Sequence, residues 1–180
     1  MPGFTTFNEL RQWAEKMDEA VVLKTASASL EHKNVFLSHC SKDHPLLLGV
    51  IRILQNHGAK VYIDDEDRGL PEDISVETAA RLKKTIYACR KFVVFVTTNS
   101  KDSLWIPWEL GLGSGLKGDD HIALYPSAEH SYETKWAEQE YLGLYRRIVW
   151  GNMEGEPEPL WMVYDYRTNT ATKLGSWLRT

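Results

Sequence analysis

The run Phe92-Val-Val-Phe-Val96 is apolar at every position, and this constrains the fold more than any other feature. A strand with one wet face alternates polar and apolar side chains, whereas a strand covered on both faces does not. Phe92–Val96 therefore reads as the centre of a parallel sheet with helices above and below. Asn34-Val-Phe-Leu-Ser38, Lys60-Val-Tyr-Ile-Asp64, His121-Ile-Ala-Leu-Tyr125 and Arg147-Ile-Val-Trp150 are four further short strands. Helix-length segments separate them. Leu46, Leu47, Val50, Ile51 and Leu54 share one helical face, and Gly58 is placed to end that helix. Residues 74–88 and 104–116 read as two more helices, the second loosened by glycines. The stretch between the fourth and fifth strands holds a short helix at most. Alternating strands and helices imply βαβ units, hence an α/β fold with a five-stranded parallel sheet between two helical layers.

The flanks read differently. Thr6 and Glu9 have capping-box spacing, and Phe7, Leu10, Trp13 and Met17 then form one apolar helical stripe. Thr25-Ala-Ser-Ala-Ser29 reads as a polar connector. After Trp150, Gly151–Pro159 reads as a linker, followed by a hairpin over Leu160–Tyr166 and Ala171–Leu174, with Trp177 as an end anchor. The expected organisation is an N-terminal helical extension over 1–33, the main domain over 34–150 and a C-terminal extension over 151–180. At 180 residues, the chain has room for one domain with a sizeable core.

Several function classes are disfavoured. The net charge is -4, and no run of Lys or Arg suggests a nucleic-acid groove. No apolar run approaches the length of a membrane span, and the N-terminus lacks the charged and apolar regions of a signal peptide. Cys40 and Cys89 stand alone without a CxxC or a His pair. That spacing predicts neither a zinc site nor a disulfide scaffold and fits a reducing cytoplasm.

In open parallel sheets, ligands sit beyond the carboxyl ends of the strands. Three segments converge there: Ser38-His-Cys-Ser-Lys-Asp43, Asp64-Asp-Glu-Asp-Arg-Gly69, and Ser103-Leu-Trp-Ile-Pro-Trp-Glu109. Trp105 and Glu109 are four apart, so a helix stacks the indole and the carboxylate on one face. An aromatic wall beside a carboxylate raises its pKa and shapes a pocket for a flat ligand. Each residue also has a plainer reading. Glu109 fits a solvated helix position, and Trp105 and Trp108 fit the core. Ser38 fits a turn cap, His39 a hydrogen-bonded loop residue and Cys40 an inert thiol. Asp64, Asp65, Glu66 and Asp67 fit a solvated acidic loop. These four acids repel a pyrophosphate, and only Lys42 and Arg68 stand near to offset them.

The three boxes together resemble a family. Val35-Phe-Leu-Ser-His-Cys-Ser-Lys-Asp43 resembles the opening box of a TIR domain, the fold named for Toll and interleukin-1 receptors. Lys60-Val-Tyr-Ile-Asp64 and the loop ending Gly69-Leu-Pro-Glu-Asp-Ile74 resemble its second strand and BB loop. Trp105-x-x-x-Glu109-Leu110 matches the WxxxE signature of NAD-cleaving members. The resemblance spans residues 34–150 and is to bacterial TIR proteins, so it implies a flavodoxin-like three-layer sandwich. It also implies roles. Glu109 becomes the catalytic glutamate and Trp105 a pocket wall. Phe36, Ser38 and His39 line the entrance, and Asp64 faces the same cleft. Trp108 sits where some bacterial members carry another aromatic.

The activity implied is cleavage of the nicotinamide–ribose bond of NAD, a hydrolase or cyclase reaction that takes NAD as substrate and needs neither metal nor cofactor. One carboxylate is marked, so no acid–base pair is assigned. Assembly with other TIR subunits is also implied, with sites completed between neighbours. Stand-alone bacterial TIR proteins of this kind serve in Thoeris-type antiphage defence, where a cyclic or conjugated ADP-ribose activates a separate effector protein. The competing reading is a non-catalytic scaffold that acts through TIR–TIR contacts. A phosphoacceptor receiver domain fits poorly, because Asp64 and Asp65 follow the second strand rather than the first and third.

Overall fold

The computed structural model describes residues 3–15, 17–63, 76–103, 105–133 and 140–180. Its strands are β1 (Thr5–Thr6), β2 (Val35–Ser38), β3 (Val61–Tyr62), β4 (Lys91–Val96), β5 (Ile122–Ala128), β6 (Arg146–Gly151), β7 (Leu160–Asp165) and β8 (Thr170–Lys173). Its helices are α1 (Phe7–Ala14), α2 (Glu19–Ser27), α3 (Leu47–Asn56), α4 (Val76–Ala88), α5 (Trp105–Lys117) and α6 (Leu174–Arg179).

The strand order β3-β2-β4-β5-β6 is parallel throughout, which is the parallel α/β sheet that the alternating pattern predicts and the flavodoxin-like fold that the TIR resemblance implies. Side-chain alternation sorts the core into two layers. Val35, Leu37, Val93, Phe95, Ala123 and Tyr125 face the layer of α1, α2, α3 and α6. Phe36, Phe92, Val94, Val96, Ile122 and Leu124 face the layer of α4 and α5. All six residues of β4 are buried, as a central strand requires.

Among the described residues the sheet has eight strands where the sequence suggests five. The C-terminal hairpin is present, but it continues the same sheet: β7 pairs antiparallel with β6, and β8 with β7. Met162 and Val163 are buried there, so the hairpin covers core that a five-stranded sheet leaves wet. Its turn fits the residues. Asn169 takes φ 55°, which Asn tolerates, and Asp165 accepts bonds from the Arg167 backbone and guanidinium. The remaining strand, β1, pairs with β5 at Thr5↔Ser127 and Thr6↔Ala128. It lies beyond Ala123 and Leu124, where β5 pairs with β6.

The N-terminal region departs from its expected form. The capping box is present, with Thr6 and Glu9 bonded in both directions, but α1 stops at Ala14 before Met17. A second helix, α2, starts at an Asp18 cap and absorbs Thr25–Ser27 of the expected connector. The Thr25 and Ser27 hydroxyls donate to the carbonyls of Val21 and Leu23, four residues back, and so sit inside a helix without competing with it. α1 crosses α3 closely: a Cβ on Gly49 would lie 2.3 Å from the Leu10 carbonyl oxygen. At the other end, the expected Trp177 anchor lies in a helix, α6. The Trp177 indole donates to the Asp120 carbonyl at 2.9 Å. Among the described residues, no helix is long and apolar enough to cross a membrane.

Candidate active site

Strand order reverses at β2, with β3 on one side and β4 on the other. The helix after β2 lies in one layer and the helix before β4 in the other. Such a switch point leaves a crevice at the carboxyl ends of the strands. β2 delivers Ser38 there as its last residue. Residues 41–46 then make a 3-10 turn, and α3 begins at Leu47, one residue after the start that the apolar pattern suggests.

α5 supplies the other half of the site. The Ser103 hydroxyl accepts the Ile106 backbone N–H at 3.3 Å and caps the helix start. Pro107 falls in the first turn, where a missing N–H costs nothing. Further along, Gly113 lets the helix press on β4, since a Cβ there would meet the Phe92 ring at 2.7 Å. This close seating brings Glu109 over the sheet edge. Glu109 is only 3% exposed, and its Oε2 accepts a short hydrogen bond from the Ser38 hydroxyl. Glu109 is therefore neither a solvated helix residue nor part of an apolar core.

Aromatic rings line the same side. Phe36 stacks on Phe92 at 5.4 Å between centroids and lies 6.2 Å from Tyr62. The strand register sets this row, because Phe36 pairs with Tyr62 on one side and Phe92 on the other. Trp105 is half-buried against this cluster. Trp108 meets Trp105 edge-on at 5.5 Å but is 40% exposed, so it stands at the rim. His39 follows Ser38 and is buried, its ring 6.3 Å from that of His44. Asp64 and the acidic stretch 64–67 lie outside the described residues, as does Arg68. The structure thus joins Ser38 to Glu109 directly and sets Phe36 and Trp105 in one aromatic layer.

One residue with a structural part in this edge is missed by sequence reasoning. Asp43 is fully buried and accepts bonds from Thr97 Oγ1 at 2.7 Å and Asn99 Nδ2 at 2.6 Å. Burial pushes its pKa up, opposed by those two hydrogen bonds and by Lys42. Asp43 ties the turn after β2 to the turn after β4, across the switch point. Its signal is a carboxylate in an otherwise small and polar box, which resembles any surface loop until its partners are seen. The grouping of metal-ligating side chains found among the described residues is Glu129, His130 and Glu133, on the surface turn after β5. Groupings of this type are common on protein surfaces.

Residues 35–156 match the TIR domain family. The chain belongs to the TIR domain family. It is also 35% identical over 132 residues to a Bacillus cereus (strain MSX-D12) protein described as a probable 3' cyclic ADP-D-ribose synthase, ThsB'. That alignment covers 72% of this chain and 67% of the relative. The protein is thus a bacterial-type TIR protein similar to a Thoeris protein, and the Ser38–Glu109 pair sits inside the matched region.

Proposed function

We propose that this TIR domain cleaves the bond between nicotinamide and ribose in NAD, with Glu109 as the catalytic carboxylate. The observation that carries the proposal is the buried Glu109 held by Ser38 at the sheet's switch point. The similarity to a probable 3' cyclic ADP-D-ribose synthase supports the same chemistry. NAD is the substrate, and the reaction needs no cofactor or metal.

The chemistry follows from the charge. As the C–N bond breaks, nicotinamide leaves with the bonding pair, and the ribose carbon takes on oxocarbenium character. A preorganised carboxylate in a dry site stabilises that positive charge strongly. The Ser38 hydroxyl fixes the orientation of one carboxylate oxygen in advance. Trp105 supplies a flat wall for the nicotinamide with the buried Phe36 in the same aromatic layer, Trp108 stands at the rim, and the buried His39 lines the way in. Asp64 is proposed for the same cleft. A nucleophile then captures the ribosyl cation: water gives linear ADP-ribose, and a hydroxyl or base nitrogen of the same molecule gives a cyclic product. Excluding water favours the second outcome.

The proposal extends to a cyclic or conjugated ADP-ribose that signals to a separate effector protein in antiphage defence. It places the protein in the cytoplasm, where the thiols of Cys40 and Cys89 stay reduced. Assembly with other TIR subunits completes the site, so specific activity rises with protein concentration. The test is incubation of the purified protein with NAD over a range of concentrations, with products separated by chromatography and identified by mass spectrometry. Nicotinamide together with a cyclic or conjugated ADP-ribose is the expected result. Linear ADP-ribose alone would make it a plain hydrolase, and no turnover at any concentration would make it a scaffold.

A further inference from the structure

We propose that the cleft between the N-terminal segment and the β6–β7 pair is a second small-molecule site, shaped for an uncharged nucleoside. The cleft has a volume of about 750 Å³ and is lined by Phe4, Glu9, Trp13, Trp150, Asn152 and Trp161, among others. That size suits a small organic ligand rather than an ion. The inference stands apart from NAD cleavage. None of the residues lining this cleft is among Phe36, Ser38, His39, Trp105, Trp108 and Glu109.

The walls are fixed before any ligand arrives. Gly3 and Trp150 exchange two backbone hydrogen bonds, at 2.7 and 2.8 Å, which clamp the N-terminal segment to the end of β6. Trp161 stacks on the buried Tyr125 at 5.9 Å, and Trp150 meets Trp161 edge-on at 5.6 Å. Trp13 and Trp150 nevertheless stay 43% and 45% exposed. Single exposed aromatics are ordinary, but two half-exposed indoles and a third ring lining one cleft form a stacking surface. Trp13 also resolves a feature of the sequence, since its place in the α1 stripe predicts burial that does not occur.

The polar groups define the ligand class. Glu9 is the only charged side chain among the described lining residues, and Thr6 N and Oγ1 each bond its Oε2 at 2.7 Å. A held carboxylate accepts hydroxyl or amino protons and repels phosphate. Gln12 and Asn152 add amides that both donate and accept. Aromatic faces for a base, acceptors for ribose hydroxyls and a negative charge against phosphate together describe a nucleoside.

The probes are adenosine and cytidine, titrated into the full-length protein and followed by tryptophan fluorescence and calorimetry. At least one is expected to bind saturably at one site per chain. AMP or CMP binds no more tightly than its nucleoside. Trp13→Ala weakens binding roughly tenfold or more, as loss of a base-stacking ring does. Asn152→Ala, on an exposed loop, weakens it severalfold, and Glu109→Gln leaves it unchanged. Absence of saturable binding by either nucleoside up to its solubility limit overturns the proposal. So does wild-type affinity in folded Trp13→Ala and Asn152→Ala, or tighter binding of AMP or CMP than of the nucleoside. Loss of binding in Glu109→Gln would place the nucleoside in the NAD site instead.

Discussion

The Ser38 hydroxyl donates to the Glu109 carboxylate across 71 residues of sequence, joining the end of β2 to the second turn of α5. This bond holds a buried carboxyl group in one orientation. A hydrogen bond to a charged group is worth about 1.5–3 kcal/mol. Ser38→Ala is therefore expected to keep the fold and lower NAD turnover roughly 10- to 100-fold, with the larger effect on kcat. Steady-state kinetics check this. Unchanged kcat in a folded variant would show that Ser38 does not position Glu109.

Gly49 marks the crossing of α1 over α3, where an added Cβ would meet the Leu10 backbone 2.3 Å away. Gly49→Ala forces α1 off its seat. The expected loss is about 1–3 kcal/mol, as for overpacked cores, and each kcal/mol lowers Tm by about 2–4 °C at this chain length. Thermal unfolding checks it. An unchanged Tm would mean that α1 does not contribute to the stability of the domain.

Lys91 is almost wholly buried, with its Nζ 3.1 Å from His121 Nδ1 and 4.6 Å above the Trp177 ring. Burial first, then Arg146, Arg90 and Lys117, press its pKa down from 10.5 to about 8, against the pull of Asp120. Between those two values the unfolded chain binds a proton that the folded chain does not. Lys91 therefore makes stability rise as pH climbs from about 8 to 10.5. Below about 8 both states carry the proton, and the penalty on the buried charge is at its full size. Lys91→Met should remove this rise. Urea titrations of both proteins across that range check it, and parallel curves would contradict it.

The sheet was legible because burial on both faces leaves no polar residue in Phe92–Val96, and the parallel strands follow from that pattern. α2 was not legible, because Thr25 and Ser27 look like linker residues until their hydroxyls are seen bonded back to Val21 and Leu23. β1 is two residues long and gains its strand character only from β5, so no local pattern reveals it. At the site, the spacing of Trp105 and Glu109 was readable from the sequence. The link from Glu109 to Ser38 and the burial of Asp43 between Thr97 and Asn99 were not, because both depend on how two distant strand ends meet.

The central claim is that Glu109 carries the chemistry, and the most direct measurement is nicotinamide release from NAD by wild type and Glu109→Gln at equal concentration. Gln keeps the size and the bond from Ser38 but removes the charge that faces the oxocarbenium ion. The account predicts release by wild type and background release by a Glu109→Gln variant with the circular dichroism of wild type. Near wild-type release by that folded variant would contradict it.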